Sequence, residues 1–280
     1  MRNMICLLGC FLCSTLLVIG QPTGMIQLEE EQSPLDDIVE SATIGQKRVL
    51  AYPPIREADI LWKKRIWRVI DTREKMNLPF RYPKMPFINI LLNEIETGNI
   101  KAYSTEDDAF TLSLNAGDLS DILVERDTVE IIDPVTGEPT FQAIENRLDP
   151  TSITRYRMKE IWFFDSNSSS LRVRILGMAP IQDVYDDNGN FKYSKPLFWI
   201  YYPDCRQAFA KYKVFNSAND QSVMTWEDHL EMRFFSSYIT KESNVNDLRL
   251  EDYLSGRDLL IASERIKQEL FNKEQDMWSY

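Results

Sequence analysis

At 280 residues, with 44% hydrophobic and 11% aromatic side chains, the chain has enough apolar material for one large domain or two modest ones and is not disordered as a whole. Its 32 lysines and arginines face 43 aspartates and glutamates, a formal net charge of -11, and a surface that acidic repels phosphate backbones. A single histidine, His229, removes multi-histidine zinc sites, two-histidine phosphorelays and most haem ligation.

Residues 1–20 read as an export signal. Arg2 supplies the positive start, Ile5 to Ile19 form an apolar run, and Val18-Ile19-Gly20 places compact residues before Gln21. The run is shorter than the roughly 20 residues that span a bilayer, which disfavours a retained anchor. Leu7-Leu8-Gly9-Cys10 imitates a lipoprotein box, but too few residues precede Cys10 to make an apolar region. Cleavage takes away Arg2, Cys6, Cys10 and Cys13, so the net charge becomes -12 and Cys205 stands alone. An exported domain with one thiol has no internal disulfide and rests on its core. Cys205 therefore reads as a half-buried small hydrophobe rather than as a reactive thiol or an intermolecular bridge.

Residues 21–47 are expected to form a flexible acidic arm, with Glu29-Glu30-Glu31 and Asp36-Asp37 and few aromatics, ahead of a domain over 48–280. Pro53 and Pro54 keep the start of that domain extended. Glu57 to Asn77 reads as a long helix closed by Pro79. Trp62, Ile66, Val69, Ile70 and Arg73 make its apolar stripe, and Lys63, Lys64, Arg65 and Arg68 a cationic face. That face is the candidate interaction site for an acidic partner. Ile88, Leu91, Leu92 and Ile95 predict a second helix stopped by Gly98, and Ala102-Tyr103 a short strand. Residues 107–121 read as irregular. Thr128 to Ile132 reads as a strand before a turn over 133–137. Ile153 to Phe164 and Leu171 to Met178 predict a hairpin, followed by a turn over 186–190 and a strand from Leu197 to Tyr202. Thr225 and Asp228 open a helix expected to run through Phe235, and Asp258 to Asn272 predicts a terminal helix. The fold class is α+β, with helices at both ends around a mainly antiparallel sheet.

Chemistry is sparse. Helical spacing surrounds His229 with Thr225, Trp226, Met232 and Arg233, a poor metal shell. The turn at Gly189 fails as a calcium loop, because Val184 and Lys195 fall where carboxylates are required. There is no phosphate-cradling loop, dinucleotide fingerprint or Gly-x-Ser-x-Gly elbow. A Cys205–His229 pair or two carboxylates remain as the enzyme alternative, and a small-ligand binding module as a third reading.

Several collinear words carry a resemblance. Tyr52-Pro53-Pro54-Ile55-Arg56-Glu57-Ala58-Asp59 runs into Trp62-Lys63-Lys64-Arg65-Ile66-Trp67-Arg68-Val69-Ile70-Asp71. Trp199-Ile200-Tyr201-Tyr202-Pro203-Asp204, Met224-Thr225-Trp226-Glu227-Asp228, Glu231-Met232-Arg233 and Ser263-Glu264-Arg265-Ile266-Lys267 follow. Over roughly residues 48–275 the sequence resembles the gliding-motility family GldN, called PorN in non-gliding relatives.

The resemblance implies a structural, non-enzymatic periplasmic component of the type IX secretion system, which exports proteins and in gliding species serves motility. Family members form a large ring with the outer-membrane lipoprotein GldK (PorK) and engage the shaft protein GldM (PorM). No cofactor, metal or nucleic acid is implied, and membrane attachment runs through the lipoprotein. A ring needs two different matching patches per subunit, for which a basic face and an acidic remainder are suited.

Overall fold

Val, Ile, Trp, Tyr and Phe crowd three stretches of the chain. The computed structural model, which describes residues 47–132, 139–186, 189–217, 219 and 222–278, folds each of them into a long strand. In chain order the elements are β1 (Ile60–Asp71), α1 (Phe87–Glu96), β2 (Ala102–Tyr103), α2 (Ala116–Leu123), β3 (Val124–Ile132), β4 (Pro139–Arg147), β5 (Ile153–Asp165) and β6 (Ser170–Tyr185). They continue with β7 (Phe191–Pro196), β8 (Trp199–Tyr201), α3 (Tyr202–Phe209), α4 (Trp226–Glu231), β9 (Tyr238–Glu242) and α5 (Gly256–Trp278). Seven strands form one antiparallel sheet in the order β2-β8-β6-β5-β1-β9, with β7 pairing β6 off that path; β3 and β4 make a separate ladder. The α+β expectation holds.

The predicted helix over 57–77 does not form. Its first residues are a 3-10 turn (Glu57–Asp59), its middle is β1, and a second 3-10 segment covers Lys75–Arg81. The reason is position. β1 is a central strand between β5 and β9. From Ile66 to Ile70 both of its faces are covered, by the helix-side core on one and the Trp67 cluster on the other, so no polar alternation remains there to mark a strand. The apolar residues that matched a helical stripe are the two faces of a central strand read together.

Helices cover one face of the sheet. Ile70, Tyr156, Met158, Ile175 and Met178 point into a core with Phe87 and Leu91 of α1, Phe209 of α3 and Trp226 and Leu230 of α4. Farther along, Ile66 and Ile239 meet Ala262, Ile266 and Leu270 of α5 in a second apolar cluster. On the opposite face the described residues form a smaller cluster, Trp67, Ala179 and Trp199 packed with Tyr103 and Phe110.

Local signals decide the helix ends. Gly98 takes φ 77 just beyond α1, as its placement predicts. Thr225 and Asp228 form a capping box on α4, but the helix ends at Glu231 rather than running to Phe235. Arg233 adopts φ 58 there, and the amide of Phe234 donates to the His229 carbonyl, a Schellman closure with arginine at the usual glycine position. The β5–β6 hairpin is as expected, and the Leu197–Tyr202 strand is cut short by α3. Of the turn over 186–190, the Gly189 amide donates to the Asp186 carbonyl, while residues 187 and 188 lie outside the described residues. Helix α2 replaces part of the segment read as irregular. The export segment, the acidic arm through residue 46 and the 133–137 turn lie outside the described residues.

Candidate interaction surface

Residues opposite one another in an antiparallel ladder share a face, so register divides the predicted basic site in two. Lys63 pairs across Phe163 with Arg172, and Arg65 pairs across Ile161 with Arg174. These four cations sit on the face away from the helices. Lys64 and Arg68 point to the other side. Lys64 pairs with Glu242 (Nζ–Oε2 2.5 Å), while Arg68 is buried against Glu160 (Nε–Oε2 3.1 Å). The quartet is therefore not one surface: alternation in β1 exposes Lys63 and Arg65 and turns Arg68 into a core residue.

The same open face gathers cations that the linear sequence scatters. Trp67 lies opposite Lys159 and Lys241, Val69 opposite Arg157, and Asp71 opposite Arg155. Most of these charges are held locally. Asp108 accepts from Trp67 Nε1 (2.7 Å) and Lys159 Nζ (3.1 Å), which pins the 105–110 loop over the sheet. Lys241 pairs with Asp247 (2.7 Å), Arg155 with Asp183, and Arg172 with Asp165 (3.7 Å). Arg174 donates to the Pro53 carbonyl (2.7 Å) and lies over the Tyr52 ring, fastening the extended start of the described chain. Among the described residues, Lys63, Arg65 and Arg157 have no ion-pair partner. Burial pushes the Arg157 guanidinium down to about 10, and Arg249 across a polar cavity of about 590 Å³ pushes the same way.

Carboxylates thus offset much of the charge on this face, and its uncompensated positive strip lies at Lys63 and Arg65, beside Arg174, on a chain of net charge -11. It suits contact with carboxylates on a partner surface. The family model for "Gliding motility associated protein GldN" matches residues 55–279. The chain belongs to the GldN family. No curated protein sequence matches it.

The family is described by motility, and in this GldN member the two side chains named for an enzyme alternative are both buried. Cys205 is buried in the main core, its thiol pushed up by burial and donating to the Tyr201 carbonyl (3.1 Å). A nucleophilic thiol requires the opposite, a lowered pKa and access. His229 is 4% exposed, edge-on to Trp226 and Phe80 with ring centroids 5.3 and 5.8 Å away, and burial lowers it to about 4. Among the described residues no group of three metal-ligating side chains occurs, and no helix is long and apolar enough to cross a membrane.

The sequence contains signals for what linear reading missed. Phe163, Ile161 and the arginines at 172 and 174 alternate along β5 and β6, which is enough to put the arginines on one face once the hairpin register is fixed.

Proposed function

We propose that this GldN-family chain is a structural subunit of the type IX secretion system, not an enzyme, exported by residues 1–20 to the periplasm. There it forms a ring with a GldK/PorK-type lipoprotein under the outer membrane and engages a GldM/PorM-type shaft protein. The match to the GldN family over residues 55–279 carries the reading. The open cationic sheet face supports it, because a ring closes through two unlike patches and an acidic chain with one basic strip offers both signs. Indirect membrane attachment through the lipoprotein fits the same picture.

Co-expression of the chain with its lipoprotein partner, followed by mass and shape measurement of the particle, tests the reading. A large ring containing both proteins is the expected product. A stable monomer that ignores the lipoprotein overturns it.

A further inference from the structure

A second surface lies away from the basic strip. The 3-10 segment over 75–81, the prolines at 83 and 86, and the stretch from Val214 to Ser217 enclose an open groove of about 1080 Å³ whose lining is mainly apolar. Leu78, Met76 and Phe215 line it while being 52%, 52% and 40% exposed, so their apolar surface is open to a docking chain. Tyr82 and Phe215 stack as parallel rings with centroids 4.3 Å apart, which gives the wall a rigid aromatic plate.

Charge distinguishes this groove from the rest of the molecule. None of its described lining residues is an aspartate or glutamate, although the chain has 43 of them. Lys75 and Arg81 both line it, both are exposed, and neither has an ion-pair partner among the described residues. At its floor the buried His229 has an Nε2 without a hydrogen-bond partner, an unmet polar group inside an apolar wall.

We propose that this groove docks a peptide segment of a partner protein that carries apolar side chains flanked by carboxylates. The apolar side chains fill the space beside the Tyr82–Phe215 plate, and the carboxylates meet Lys75 and Arg81. The mode is side chains in a groove rather than addition of a strand, since the prolines at 79, 83, 86 and 150 remove amide donors from the walls. Docking of this kind does not depend on ring assembly and stands or falls separately from it.

The test is a selection from a displayed library of random twelve-residue peptides against the purified, folded chain. Enriched peptides are expected to combine Leu, Phe or Met with Asp or Glu, and to bind the K75E/R81E variant at least tenfold more weakly. Both substituted residues are exposed, so the variant should keep its circular dichroism. Leu78→Ser, a neutral change on the same wall, should weaken binding while leaving the acidic preference intact. Failure to enrich any peptide, enrichment without acidic residues, or unchanged binding to K75E/R81E each overturns the proposal. A preference for phospholipid vesicles over all peptides does so as well.

Discussion

Arg68 and Glu160 face each other from neighbouring strands in the interior, guanidinium Nε to carboxylate Oε2 at 3.1 Å, with Glu160 wholly excluded from solvent. Arg233 closes the other side (Nη1–Oε1 2.7 Å), and Trp162 Nε1 donates to the same carboxylate (3.0 Å). One buried anion thus anchors a central strand, the turn after α4 and an indole on β5. Desolvation pulls Arg68 down, and Glu160 is the main group holding it charged.

Glu160→Ala leaves two arginines without their common counter-ion. Removing one member of a buried pair typically destabilises by about 3–5 kcal/mol, because the remaining charge stays desolvated. Urea denaturation should show a loss of that order, with Glu160→Gln losing less because its amide oxygen still accepts. A change below the scatter of the measurement for Glu160→Ala would mean that the network is looser than its geometry.

The basic residues of β1 divide by face, and their variants should divide in the same way. Lys63→Glu with Arg65→Glu alters only exposed side chains and should leave stability within about 0.5 kcal/mol. Binding to an acidic partner surface should weaken about tenfold at low salt and converge with wild type as salt rises. Arg68→Glu places a second carboxylate beside Glu160 and should prevent folding. Equal behaviour of the two sets in a thermal melt would contradict the assigned register.

Much of this architecture is legible in the sequence wherever one face is wet. Helix α1 shows its spacing because Asn93 and Glu96 alternate with buried residues, and Gly98 marks its end. The β5–β6 hairpin shows its aromatic and β-branched runs around a serine-rich turn. β1 is illegible for the opposite reason: Ile66 to Ile70 are all buried, Arg68 included, so periodicity carries no information. Helix α3 is short and mixed in polarity, although Pro203 in its first turn was a usable marker. Alternation puts Arg172 and Arg174 on one face of the hairpin, but their place beside Lys63 and Arg65 was out of reach, since only register joins β1 to β5. The GldN motifs identified the family without depending on any of these assignments.

Gly177 sits on the open face, opposite Lys159 and beneath the Phe110 ring. A Cβ there would overlap that ring and come within 2.8 Å of the Ile200 carbonyl oxygen. The ring can swing away, but the carbonyl belongs to β8 and cannot move without loosening its ladder. Gly177→Ala should therefore destabilise by about 1–3 kcal/mol, the usual range for overpacking. It should also free the 105–110 loop, read as faster proteolysis there. Unchanged stability and proteolysis would show that β8 yields more easily than its pairing implies.

His229 sets a pH window of its own. It is the only histidine, and its folded-state pKa of about 4 lies below the unfolded value of 6.5 because burial disfavours the charged ring. Between those values the unfolded chain binds a proton that the folded chain does not, so the histidine's contribution is fully present above 6.5 and drains as pH falls. The whole difference corresponds to about 3 kcal/mol, of which about 2 kcal/mol is lost between pH 7 and pH 5. Asp183 titrates lower: bonds from Thr154, Arg155 and Ser194 outweigh the upward push of burial, so its contribution is lost only in stronger acid. Urea denaturation of wild type and His229→Gln at pH 7, 6 and 5 separates the two. Wild type should weaken across this range and the variant should stay nearly flat. A slope that survives in His229→Gln would assign the acid sensitivity to carboxylates and leave the buried imidazole without a part in it.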